Sequence, residues 1–115
     1  MRLTSEIWVS AYLRRCQAAF VQAVVVRRGD AAAGAIFISV DLLDGNIRLY
    51  GPAPTGLTGS GTYRRWVRCL EGAAVSSEEA KAFLARQLDF DSDLWILEVE
   101  DNAGRHFLDD ALVET

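Results

Sequence analysis

The residues best equipped for chemistry are the arginines. Arg27 and Arg28 come together before Gly29 and Asp30, and two guanidiniums beside a flexible turn can grip a carboxylate or phosphate. Arg64 and Arg68 follow in a second arginine-rich stretch, with Arg65 between them and Arg48 earlier. If the fold brings Arg27, Arg28, Arg64 and Arg68 together, they form an anion site. The competing reading is solvated strand edges and ordinary surface pairs, such as Asp41 with Arg48. The tripeptide Arg28-Gly29-Asp30 also spells a cell-adhesion motif, read here as coincidence.

Other constellations are thinner. His106 is the only histidine, so imidazole catalysis would have to run through it, with Cys16 or Cys69 as a thiol partner. Both cysteines sit among apolar neighbours and read as packed small hydrophobes. Without a CxxC or a two-histidine spacing, a zinc site has no support. Asp89, Asp91, Asp93 and Glu100 echo the first and last ligands of a calcium loop. Leu94, however, stands where that loop turns on glycine, and an apolar strand follows. Gly56, Gly59 and Gly61 could cradle phosphate, but a P-loop needs Gly-Lys-Ser/Thr opening a helix, and Tyr63-Arg64-Arg65-Trp66 reads as strand. No catalytic set, metal site or cofactor is therefore expected.

Composition narrows the classes further. The 115 residues carry a net charge of −4, which argues against general nucleic-acid binding and against docking on an anionic membrane. Trp8, Trp66 and Trp95 then read as core anchors rather than base-stacking platforms. No run of about 18 apolar residues exists to span a bilayer. The first fifteen residues lack the uninterrupted apolar core and cleavage site of a secretion signal. Two cysteines and no framework suit a reducing cytoplasm. The length suits a single domain over 1–115.

The elements that must position these groups centre on Val24 to Tyr50, read as three consecutive antiparallel strands. Asp44-Gly45 is a two-residue hairpin signal. Folding there pairs Leu42 with Ile47, Val40 with Leu49 and Asp41 with Arg48. An odd-length loop between the first two strands would gather Val24, Val26, Ile36, Ile38, Val40, Leu42, Ile47 and Leu49 on one buried face. The other face would carry Arg27, Ser39, Asp41 and Arg48, together with an apolar patch of Val25, Phe37 and Tyr50. That patch is the candidate interface, to be covered by the chain's own tail or by a second copy.

A first helix begins at Thr4 or Ser5, with Trp8, Tyr12, Cys16 and Ala19 as its stripe and Ile7, Ala11 and Phe20 beside it. Gly51 to Gly61 is a loop and Tyr63 to Glu71 a fourth strand. Ser76 and Glu79 form a capping box, opening a helix whose buried face holds Ala80, Phe83, Leu84, Gln87 and Leu88. Leu94 to Val99 is a last strand, followed by a turn and a tail. The order α-β-β-β-β-α-β predicts a two-layer α+β domain, a mostly antiparallel sheet of four to five strands with both helices on one face.

Several stretches, EIWVSAYLRRC, VVVRRGD with GAIFISV, LYGPAP, and FDSDLWILEVED with GRHFL, resemble a family of small alphaproteobacterial proteins classed as a domain of unknown function. The resemblance implies a bacterial cytoplasmic protein and carries over no activity or site. Two functions stay open. One is a non-catalytic protein-binding or regulatory module, partnered by another protein or by itself. The other is a small enzyme or ligand-binding protein that recognises an anionic metabolite through the arginines.

Overall fold

A computed structural model of the chain describes residues 3–54 and 64–113. Thr4 caps the first helix, α1 (Ser5–Ala18), its side chain accepting from the Ile7 amide at 3.3 Å. The helix buries Ser5, Val9, Tyr12 and Cys16, with Trp8 and Leu13 packed alongside. The expected stripe is thus rotated toward Val9. Ile7 is 53% exposed and Phe20 is 98% exposed. Phe20 leaves the helical phase because it stands at φ 61, a left-handed C-terminal stop.

Six strands follow: β1 (Gln22–Arg27), β2 (Ile36–Asp41), β3 (Asn46–Pro52), β4 (Trp66–Arg68), β5 (Val75–Ser76) and β6 (Trp95–Glu100). The second helix, α2 (Ser77–Phe90), lies between β5 and β6. Its capping box forms as the sequence predicts, with Ser76 Oγ accepting from the Glu79 amide at 3.1 Å. The fold is α+β with a mostly antiparallel sheet in an order consistent with the expected one, but with six strands rather than four to five, the short β5 being the addition.

The sheet order is β1-β6-β2-β3-β4, with β5 paired to β3. The expected three-strand meander is therefore corrected. β6 enters between β1 and β2, antiparallel to the first and parallel to the second. Apolar on both faces, β6 is the strand best suited to a central place: Trp95, Ile96, Leu97 and Val99 are all buried. Burying a side chain such as Leu97 contributes about 2 kcal/mol.

The hairpin register is also corrected. Asp41 pairs with Ile47, Val40 with Arg48, Ser39 with Leu49 and Ile38 with Tyr50, one residue away from the expected alignment. The reversal holds Leu43, Asp44 and Gly45, closed by the Leu42 amide donating to the Asn46 carbonyl at 3.0 Å. Leu43 (φ 62) and Gly45 (φ 91) both take left-handed backbone. Asp41 Oδ1 accepts from the Leu43 amide and Asp44 Oδ1 from the Asn46 amide, so two Asx bonds favour the longer turn.

One extra turn residue moves every β3 side chain to the other face. Ile36, Ile38, Val40, Tyr50, Trp95, Leu97 and Val99 share a core with Val9, Tyr12 and Cys16 of α1. Phe37, Leu94 and Ile96 form a second cluster, and Leu49, Val75 and Ala80 a third, both packed by Phe83 and Leu84 of α2. The helices therefore cover opposite faces of the sheet, not one. With apolar residues on both sides, a single helical layer would have left one face in water.

At one sheet edge, β4 is closed by the tail. Trp66 bridges to Leu112, and the Val113 amide donates to the Trp66 carbonyl at 2.7 Å. Aromatic stacking fixes the same corner, with Trp8 5.0 Å from Tyr12 and 4.4 Å from Trp66 between ring centroids. The fourth strand is shorter than Tyr63 to Glu71, and Tyr63 lies outside the described residues.

Candidate functional site

The structure does not gather the four arginines into one set. Arg27 stands across from Ile96, and its guanidinium donates to the Ser92 carbonyl at 2.8 Å. Arg28 pairs with Glu6 and lies over the Trp95 ring, 5.0 Å from its centroid. Arg64 donates to the Leu3 carbonyl at 3.1 Å and to Ser5 Oγ at 2.9 Å. Arg68 lies across from Tyr50 on the α1 side. Arg28 and Arg64 meet a common element, the first turn of α1.

That turn is itself spoken for. The Ser5 and Glu6 amides donate to the Ala32 and Ala31 carbonyls, and Ser5 Oγ donates to the Gly34 carbonyl at 2.6 Å. The helix's unsatisfied donors are thus used internally rather than offered to an anion. The loop supplying those carbonyls is pinned in turn by Trp95 Nε1, which donates to the Asp30 carbonyl at 2.8 Å. A small cleft of about 110 Å³ beside Arg64 is lined by Ala33, Ala35, Ile36, Pro52, Arg65 and Trp66. The glycines Gly56, Gly59 and Gly61 lie outside the described residues.

His106 and Cys69 lie on opposite faces of the sheet. His106 Nδ1 accepts from the Leu108 amide at 3.0 Å, and its ring lies 5.2 Å from that of Tyr50. Cys69 packs on the α2 side, and burial pushes its thiol up to about 11. Cys16 has no exposed surface, and burial raises its thiol as well. Among the described residues, no group of three or more histidine, cysteine, aspartate or glutamate side chains is arranged to hold a metal ion.

The proposed interface residues also separate. Phe37 is buried beneath α2, its ring 6.2 Å from that of Phe83. Tyr50 is buried on the opposite face against the tail. Val25 alone stays open, at 39% exposure. Its neighbours Val24 and Val26, expected in the core, are 46% and 57% exposed. The reason is topological: β1 ends the sheet, so no strand among the described residues flanks its outer side.

Beside that edge runs an apolar groove of about 270 Å³, between α2 and the sheet. Val26, Ile47, Leu84, Leu88 and Ile96 line it, with Lys81 and Glu98 among its polar residues. Strand alternation points Val26 into this groove, and a β-bulge between Val25 and Arg27 brings Arg27 across from Ile96. The run Val24-Val25-Val26 was the available sequence signal. A strand apolar on both faces ordinarily reads as central, which is why its exposure was missed.

Against known proteins, residues 3–109 match a family described as "Protein of unknown function (DUF1491)". The chain belongs to the DUF1491 family. A crystal structure of a DUF1491 protein from Caulobacter crescentus CB15 is similar over 99% of this chain and 100% of its own, at 33% identity and a TM-score of 0.80. A solution structure of a DUF1491 protein from the same organism is 34% identical, covering 99% of each chain at a TM-score of 0.79. A solution structure of an A. tumefaciens protein is 46% identical over 87% of this chain and 86% of its own, at a TM-score of 0.76. The search of curated proteins gives no match to this chain. The family has bacterial members and carries no assigned activity. Among the described residues, no helix is long and apolar enough to cross a membrane.

Proposed function

We propose that this DUF1491 chain is a non-catalytic protein-binding module of the cytoplasm, docking through the open edge of β1. The observation that carries this reading is the contrast between the two sheet edges. The β4 edge is covered by the chain's own residues 112–113, whereas β1 presents six residues with three exposed valines. Natural proteins blunt such edges with charges, bulges or covering segments, because unpaired amides and carbonyls recruit another strand. Here a bulge and two arginines blunt only the far end of β1. Two unpaired cysteines support a reducing compartment.

The test is affinity capture from the native cell with the wild-type chain and with Val26→Asp, whose fold is checked by its melting curve. Proteins retained by wild type should be lost from the variant. Equal capture by both would overturn the reading. The arginine-site alternative ranks second, because Arg27 and Arg28 are held by the Ser92 carbonyl and by Glu6. A melting shift with inorganic phosphate or a dicarboxylate, abolished by Arg64→Ala, would reinstate it.

A further inference from the structure

Resting on the docking reading above, we infer that the partner of the β1 edge is a second copy of this chain, paired antiparallel through β1 about a two-fold axis at Val24. The axis joins two six-stranded sheets into one continuous sheet.

Charge selects this occupant. The end of β1 is basic: exposed Arg27 stands across from Ile96 on the α2 side, whereas Arg28 turns to the α1 side and pairs with Glu6. Beside its start stands an acidic strand: Glu100 lies across from Gln22 and Glu98 across from Val24. Glu98 and Glu100 are half-buried and make no ion pair among the described residues. Antiparallel self-pairing brings Arg27 of each copy beside Gln22 and Glu100 of the other, on the α2 side of the joined sheet. The same operation sets valine against valine at the centre, where cross-strand β-branched pairs are favourable. Parallel pairing would instead set Arg27 against Arg27.

Burial adds to the argument. Val24 lies on the α2 side of the sheet, across from Glu98, and Val26 lines the groove on that same side. A strand added to β1 covers their outer flanks and walls the groove on its open side. An isologous interface of this kind is the commonest way to close a small oligomer, and it removes the exposed edge altogether.

The experiment is sedimentation of the full chain over a range of about 10 to 500 µM, a span suited to a modest interface. The mass should rise with concentration toward two chains. Val24→Lys should stay monomeric across the range with an unchanged melting curve. Glu100→Arg should weaken association by about tenfold or more, and Arg27→Glu should restore it in that background. In a complementary arm, Val24→Cys should cross-link to itself under mild oxidation, since directly opposed strand residues come within disulfide reach. A strict monomer at every concentration would overturn self-pairing, leaving the docking reading to its own capture test. A dimer that Val24→Lys leaves intact would overturn it too, by placing the contact elsewhere.

Discussion

Tyr12 donates its phenolic hydroxyl to the main-chain carbonyl of His106 at 2.7 Å, tying the first helix to the tail. Around this bond, Arg15 donates to the Phe107 carbonyl at 3.0 Å and pairs with Asp109. Leu108 and Leu112 then sink into the main core. The tail is thus part of the fold, held to α1 by polar groups and to the sheet by apolar ones.

Tyr12→Phe removes the donor but keeps the ring and its stacking on Trp8. The expected loss is about 1 to 2 kcal/mol, the net hydrogen bond plus part of the desolvation of an orphaned carbonyl. Urea unfolding of the two proteins measures it. An unchanged midpoint would mean that the His106 carbonyl is satisfied without Tyr12.

Asp101 is buried, and Arg105 grips it through its guanidinium and its amide. Those bonds hold the carboxyl below its ordinary pKa, against the opposing effect of desolvation. A carboxyl whose pKa is lower folded than unfolded stabilises the fold above the unfolded value. That contribution is lost as pH falls through the folded value. Asp101→Asn should therefore be less stable than wild type at neutral pH. The gap should close below the ordinary aspartate range. Melting curves from pH 7 down to pH 3 provide the check.

The Cys69 thiol, pushed up to about 11, and the fully buried Cys16 should resist a thiol reagent at about pH 8, where a free cysteine is partly thiolate. Both should react at once in denaturant. Fast labelling of one thiol in the native protein would reveal local opening around it.

Much of the local structure was legible because its causes lie within a few residues. Thr4 caps α1, and Ser76 with Glu79 opens α2, through side chains three positions from the amides they accept. The face Ala80, Phe83, Leu84 and Leu88 follows from helical spacing, and the alternation of Trp95, Leu97 and Val99 from strand spacing. The hairpin at Asp44-Gly45 was placed correctly. Its register was not, because the left-handed Leu43 adds a turn residue that no short-range preference announces.

By itself, then, the sequence determined where both helices start, the face the second helix buries, and the α+β class that follows. The tertiary structure alone decided that β6 slots between β1 and β2, that the helices cover opposite faces, and that Val24 to Val26 end on an open edge. The reason is range. Caps, turns and side-chain periods act between neighbours, whereas strand order is set by which distant apolar faces can be covered together, and the burial of β6 on both sides outweighed the local pairing of β1 with β2.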